Sequence, residues 1–199
     1  MANKLRIFQS MNPENPREWD NFGTMAYKHR HYILGDESIN DPIEWLEDKM
    51  GIPNTFTQSN ERLSELEKRF VKEYIALPLY LYDHSGITMR TYPFDCRWDS
   101  GKVGYIYVSK EKVRSEFGWK VITAKRREQI EKYLRNEVKT FDQYITGDVY
   151  SFTVEDEDEN VIDSCDGFFG SDWEMNGIKD HIDSELWPQL ENIEVEYER

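Results

Sequence analysis

Only two cysteines, Cys96 and Cys165, occur in 199 residues, and they lie far apart in the chain. A disulfide framework therefore has no material. No CxxC pair exists, so a thiolate zinc site has no support. No apolar run approaches the ~18 residues of a membrane span. The opening residues, Leu5-Arg6-Ile7-Phe8 among them, lack the apolar core of a secretory leader. The expectation is a cytoplasmic chain, off the membrane, with two reduced thiols. Phosphate-cradling loops are missing: there is neither GxGxxG nor a Walker pattern. No GxSxG elbow supports serine catalysis. There is no internal repeat and no linker rich in Gly, Ser or Pro. No cofactor is called for.

What the chain does have is charge, unevenly placed. Its net charge is −14. Residues 148–199 hold 17 Asp or Glu against two basic residues, Lys179 and Arg199, or −15. Residues 109–139 run the other way, with ten Lys or Arg against five Glu, or +5. A stretch at −15 repels nucleic acid and anionic membrane and attracts basic surfaces. Hydrophobic residues make up 38% and aromatics 14%, enough to build a core and to exclude a disordered chain.

The periodicity predicts an α+β fold: one domain over 1–199, with a mostly antiparallel sheet covered by helices. Residues 5–9 read as a first strand. Asp41-Pro42 reads as cap and first turn of a short helix stopped by Gly51 and Pro53. Leu63, Leu66, Phe70 and Tyr74 give a helix over 59–74. Leu77 to Tyr82 alternates as a strand. Asp83-His84-Ser85-Gly86 turns the chain into a partner strand at 88–92. Val103–Val108 is a strand, and Ser109 caps a helix ended by Gly118. Thr123 caps the longest helix, to about Ile145, with Ile130, Leu134, Val138 and Phe141 facing inward. Two strands, 148–154 and 161–165, flank an acidic turn. Ile178 to Trp187 reads as a last helix stopped at Pro188, and residues 193–197 as an edge strand.

Several residues invite chemistry. Asp83, His84, Ser85 and Cys96, with Cys165, are the raw material of a Cys–His hydrolase, in which a base must reach the sulfur. Adjacent Asp83 and His84 on a strand point to opposite faces, which places Asp83 poorly to orient the histidine. His29 and His31, spaced to share a strand face near Asp20 and Asp36, are a loose metal set. Tyr80, Tyr82, Tyr105 and Tyr107 give an aromatic sheet face that either stacks bases or lies under helices. The run Asp156-Glu157-Asp158-Glu159-Asn160 fails as an EF-hand loop, because Val161 stands where Gly is needed and Gly167 where Glu is. It reads instead as a solvated hairpin turn.

Several segments resemble a widespread family of small, mostly uncharacterised proteins of bacteriophages, prophages and other mobile elements. They are Asn15-Pro16-Arg17-Glu18-Trp19-Asp20-Asn21 with Gly23-Thr24-Met25, Leu34-Gly35-Asp36, the run Leu77 to Met89, Trp98-Asp99-Ser100-Gly101 with Val103-Gly104, Thr140 to Tyr144 with Thr146 to Tyr150, and Asp163-Ser164-Cys165 with Gly167-Phe168-Phe169-Gly170, together covering most of residues 12–170 and nothing beyond about 175. The resemblance implies a mobile-element protein and carries no catalytic residue. Small acidic proteins of that setting look like inhibitors of host defence, of anti-CRISPR or anti-restriction type.

Together, charge and resemblance lead to an inhibitor that binds its target stoichiometrically. Its acidic residues would imitate phosphates in the basic groove of a host nuclease or CRISPR effector. The residues expected to contact that partner are Glu155, Asp156, Glu157, Asp158, Glu159, Asp163, Asp166, Asp172 and Glu174. The alternatives are a small enzyme, of Cys/His or metal-dependent type, and a regulatory protein that contacts nucleic acid directly.

Overall fold

The computed structural model describes residues 3–55 and 58–197. The strands are β1 (Lys4–Gln9), β2 (Thr24–Tyr27), β3 (Glu37–Ser38), β4 (Tyr74–Asp83), β5 (Ile87–Arg90), β6 (Ser100–Ser109), β7 (Val149–Glu155), β8 (Val161–Phe169) and β9 (Val195–Tyr197). The helices are α1 (Pro42–Lys49), α2 (Asn60–Glu73), α3 (Lys110–Phe117), α4 (Ala124–Thr146) and α5 (Trp187–Leu190). The fold is α+β, with two mixed, mostly antiparallel sheets: β8-β7-β1-β9 and β3-β2-β6-β4-β5. The chain groups into two compact units. A terminal unit comprises residues 1–18 and 140–199, and a central unit comprises 19–139.

In the central unit the helices begin where a side chain can take up orphan backbone donors. Asp41 accepts from the N–H groups of Ile43 and Glu44, each at 2.9 Å. Ser59 and Ser109 cap α2 and α3 in the same way. Gly118 ends α3 in the left-handed region at φ 63°, where a Cβ is disfavoured. One core layer buries Ala26, Ile43, Leu46, Leu66, Phe70, Ala76, Tyr105 and Tyr107 between α1, α2 and the sheet. Leu134 of α4 and Ile106 of β6 are also fully buried, and both meet Gly23 so closely that a Cβ there would lie 2.5 Å from Leu134 Cδ2. Glu137 of the same helix accepts the N–H groups of Phe22 and Gly23, both at 3.0 Å.

One charge is buried in that core. Glu47 is 1% exposed, and Arg62 donates to its Oε1 from Nη2 at 2.8 Å and from Nε at 3.2 Å. Thr55 adds its hydroxyl at 3.0 Å. The Arg62 hydrogen bonds hold the carboxyl below its usual value of 4.5, against the opposing effect of burial. A carboxylate depressed in the folded state contributes stability that is present above its unfolded pKa and lost as pH falls through the folded one. Stability measured by urea unfolding should therefore decline below about pH 4.5. Glu47→Gln should flatten that decline while lowering stability at pH 7. An unchanged slope between pH 5 and pH 3 would remove Glu47 from the acid response.

In the terminal unit, β1 pairs antiparallel with β7, placing Leu5 opposite Val154 and Ile7 opposite Phe152. That alternation turns Leu5, Ile7, Phe152 and Val154 to one face, where they pack with Phe168, Ile178, Ile182, Leu186 and Leu190. β9 adds parallel to β1, so the expected edge strand at the tail is present.

The expected helix over 178–187 is not continuous. It divides into 3₁₀ turns at Ile178–Asp180 and Ser184–Leu186, followed by the single turn of α5. Asp183 between the two turns has ψ 139°, outside the helical region. Pro188 does not stop a helix there but sits in the first turn of α5, where its missing N–H would have been an orphan anyway.

Candidate functional site

The charge asymmetry of the sequence coincides with the division of the structure. The terminal unit holds 20 Asp or Glu against five Lys or Arg, or −15. The central unit holds 19 against 20, or +1. The +5 stretch at 109–139 lies wholly in the central unit, where pairs such as Arg127–Glu131 and Arg135–Glu131 run along α4. The acidic unit keeps only a few internal cations. Arg6 contacts both Glu155 and Glu196, and Lys179 contacts Glu174.

The five acidic residues at the β7–β8 turn are not equivalent. Glu155 is the last residue of β7 and is buried, with Arg6 Nη1 2.9 Å from its Oε1. It belongs to the sheet rather than to the exposed turn. Asp156 is turned inward on the loop: its Oδ1 accepts the N–H groups of Asp158 and Asn160, both at 2.9 Å. These hydrogen bonds, the Asn160 backbone contact first among them, lower the Asp156 pKa below the ordinary Asp value. Asp156 therefore fixes the shape of the turn. Glu157, Asp158 and Glu159 are exposed at its tip, with Glu159 at φ 63°.

The other expected partner residues lie elsewhere. Asp163 pairs in register with Val154, and Asp166 with Ser151. Opposed residues share a face, so the two aspartates stand on opposite faces of β8. Asp172 and Glu174 follow the far end of that strand, past Gly170, whose N–H reaches Asp148 at the start of the hairpin. Nine residues of strand at ~3.3 Å each put about 30 Å between this group and the Glu157–Glu159 tip. The acidic positions thus form one group at each end of the hairpin, with Asp163 and Asp166 on opposite faces of the strand between them, and not a single row.

No protein-family model, curated protein or solved structure matches the chain. What the site can do must therefore be read from its own residues. Sequence reasoning named Asp172 and Glu174 but passed over their neighbours Trp173, Lys179 and Trp187. The available signal was two indoles within fifteen residues of a strongly acidic segment.

The remaining chemical candidates are placed as follows. Cys96 and Cys165 are both free thiols, one in each unit. Cys96 Sγ lies 3.4 Å from Asp99 Oδ2, and His84 Nδ1 lies 3.8 Å from the same oxygen. Thiol and imidazole share a carboxylate rather than facing each other, and the His84 side chain is 64% exposed. This is a clasp between the β4–β5 turn and the loop before β6, in which Asp83 N–H also donates to the Asp99 carbonyl at 2.8 Å. His29 and His31 lie in a loop, not on a strand. His29 stacks on Tyr32, and its Nδ1 accepts the Tyr32 N–H at 3.1 Å. Among the described residues, no three His, Cys, Asp or Glu are grouped to hold a metal ion. Tyr105 and Tyr107 lie beneath α1 and α2, Tyr105 stacked on Trp45, Tyr107 edge-on to it, and both edge-on to Phe70, so these two are core, while Tyr80 and Tyr82 on β4 are half-buried. Among the described residues, no helix is long and apolar enough to cross a membrane.

Proposed function

We propose that this chain is a mobile-element protein of the host cytoplasm that inhibits a nucleic-acid-handling defence system. It would bind a basic protein stoichiometrically through its terminal unit. The observation that supports this reading best is the separation of charge: −15 on one compact unit and +1 on the other. Self-repulsion of that size disfavours the compact state, and exposed internal pairs offset little of it, ~0–1 kcal/mol each. An external cationic surface relieves the repulsion, and complementary fields speed encounter. The phage setting and the defence target rest on the sequence resemblance.

Two measurements test it. Expression in cells carrying a restriction or CRISPR system should raise the plating efficiency of a targeted phage. Unchanged plating across a panel of such systems removes the inhibitory role. For the target so found, the triple variant Glu157→Gln, Asp158→Asn, Glu159→Asn should slow association by on the order of tenfold at low salt, because steering is electrostatic. Asn is chosen at 159 because it tolerates positive φ. Glu155 and Asp156 are left intact because they hold the hairpin together. An association rate that is unchanged over a salt titration takes the tip out of the mechanism.

A further inference from the structure

The segment after β8 builds a concave site of about 600 Å³, within the ~300–1,000 Å³ of ordinary ligand pockets. Its walls include the indoles of Trp173 and Trp187 and the carboxylates of Asp172, Glu174 and Glu191, against the single ammonium of Lys179. Trp173 is held from behind: it meets Tyr150 edge-to-face at 5.1 Å and packs on the core of the unit. Burial, and donation to Asp148, push Tyr150 up to about 12, so its hydroxyl remains a neutral donor. Trp187 is 41% exposed, so part of its indole is open to solvent.

The chain's own lysine shows what the site favours. Lys179 Nζ lies 5.2 Å from the Trp187 ring centroid and is ion-paired with Glu174. A cation over an indole face, with a carboxylate beside it, is the arrangement that attracts ammonium and guanidinium groups. One internal ammonium leaves the lining at net −2. A guanidinium suits the site better than an ammonium, being planar, weakly hydrated and able to stack on an indole while donating two parallel hydrogen bonds to a carboxylate.

We infer that this pocket receives an arginine side chain of a basic protein partner, and that Lys179 occupies the cation position until the partner arrives. The inference rests on the reading of the terminal unit as a surface for a basic protein. It moves the anchor from the hairpin tip to the Trp173–Trp187 pocket. The two parts then divide the work. The tip contributes long-range attraction, and the pocket contributes the desolvated aromatic anchor that dominates affinity at protein interfaces.

The test uses the full chain and two synthetic peptides of equal length and charge, one carrying arginines and one lysines, each separated by Gly and Ser. Calorimetric titration should give tighter binding of the arginine peptide. Trp187→Ala leaves the net charge unchanged and should weaken that binding about fivefold or more, through loss of the cation–π contact. Lys179→Gln should strengthen it several-fold. Lys4→Gln changes the unit's charge by the same amount at a residue that does not line the pocket, and should alter binding less than twofold. Equal effects of Lys179→Gln and Lys4→Gln, or no effect of Trp187→Ala, would reduce the binding to diffuse electrostatics and overturn the assignment. Equal affinity for the two peptides would overturn the choice of arginine. Circular dichroism checks that each variant is folded, and Trp187→Leu replaces Trp187→Ala if the latter is not. A peptide result as expected, with unchanged phage plating, would leave the pocket standing and sink the defence role; the reverse would do the opposite.

Discussion

Leu134→Ala is expected to destabilise the protein by about 2–5 kcal/mol, the range for truncating a buried leucine. The site argues for the upper part of that range. Leu134 is fully buried, and the residue facing it is Gly23, which has no side chain to swing into the void. Ile106 on the other side is fully buried and already in contact with Gly23. Collapse would therefore require backbone movement of β2 or α4, and Glu137 ties the two together through the Phe22 and Gly23 N–H groups. Urea unfolding followed by far-UV circular dichroism measures the loss. A change below about 0.5 kcal/mol would mean that the inward face of α4 is misassigned, since such small values are typical of surface positions.

Gly104→Ala should be comparably damaging for a different reason. A Cβ on Gly104 would lie 1.9 Å from the Ala26 carbonyl oxygen and 2.9 Å from Tyr27 Cα. Both are backbone atoms of β2, so no rotamer change relieves the clash. β2 and β6 would have to part where Tyr27 pairs with Gly104. Overpacking of this kind costs ~1–3 kcal/mol and at times more; contact with main chain points to 3 kcal/mol or above. Gly101→Ala, in the same strand, is the control. Nothing lies within 4 Å of its added Cβ, so it should be neutral or slightly stabilising through the unfolded chain. Equal losses from the two variants would show that glycine flexibility in β6, not the close approach of β2, is what matters.

The helices of the central unit were legible in the sequence because their ends are written locally. Asp41, Ser59 and Ser109 each cap within three residues of the donors they satisfy. Thr123 stands one residue before α4, as its spacing suggested. Leu134 and Ile130 fell on the right face because the period of 3.6 is a short-range signal. The partition into two units was not legible. It depends on β1 pairing with β7 and on the tail returning as β9, contacts that no local pattern encodes. The same blindness explains Glu155, which looked like one of five equivalent acids in a turn. Its partner Arg6 is 149 positions away, and only the paired sheet brings them together. The Trp173–Trp187 pocket was missed because the segment reads as one amphipathic helix, whereas Asp183 breaks it and Pro188 restarts it.

β8 lies at the border of its sheet, with one side of its backbone paired to β7 and the other not paired to any strand of that sheet. Such a border is a template for adding a strand from another molecule, and that is how soluble proteins come to polymerise. The features of β8 work against that fate. Aspartates stand on both of its faces, and the register shifts twice along its length, once beside Gly167 at φ 91°. A second copy approaching edge-on would meet like charge and a bent ladder. The charge and the bent ladder of β8 thus oppose edge-to-edge pairing of two copies, with or without a partner protein.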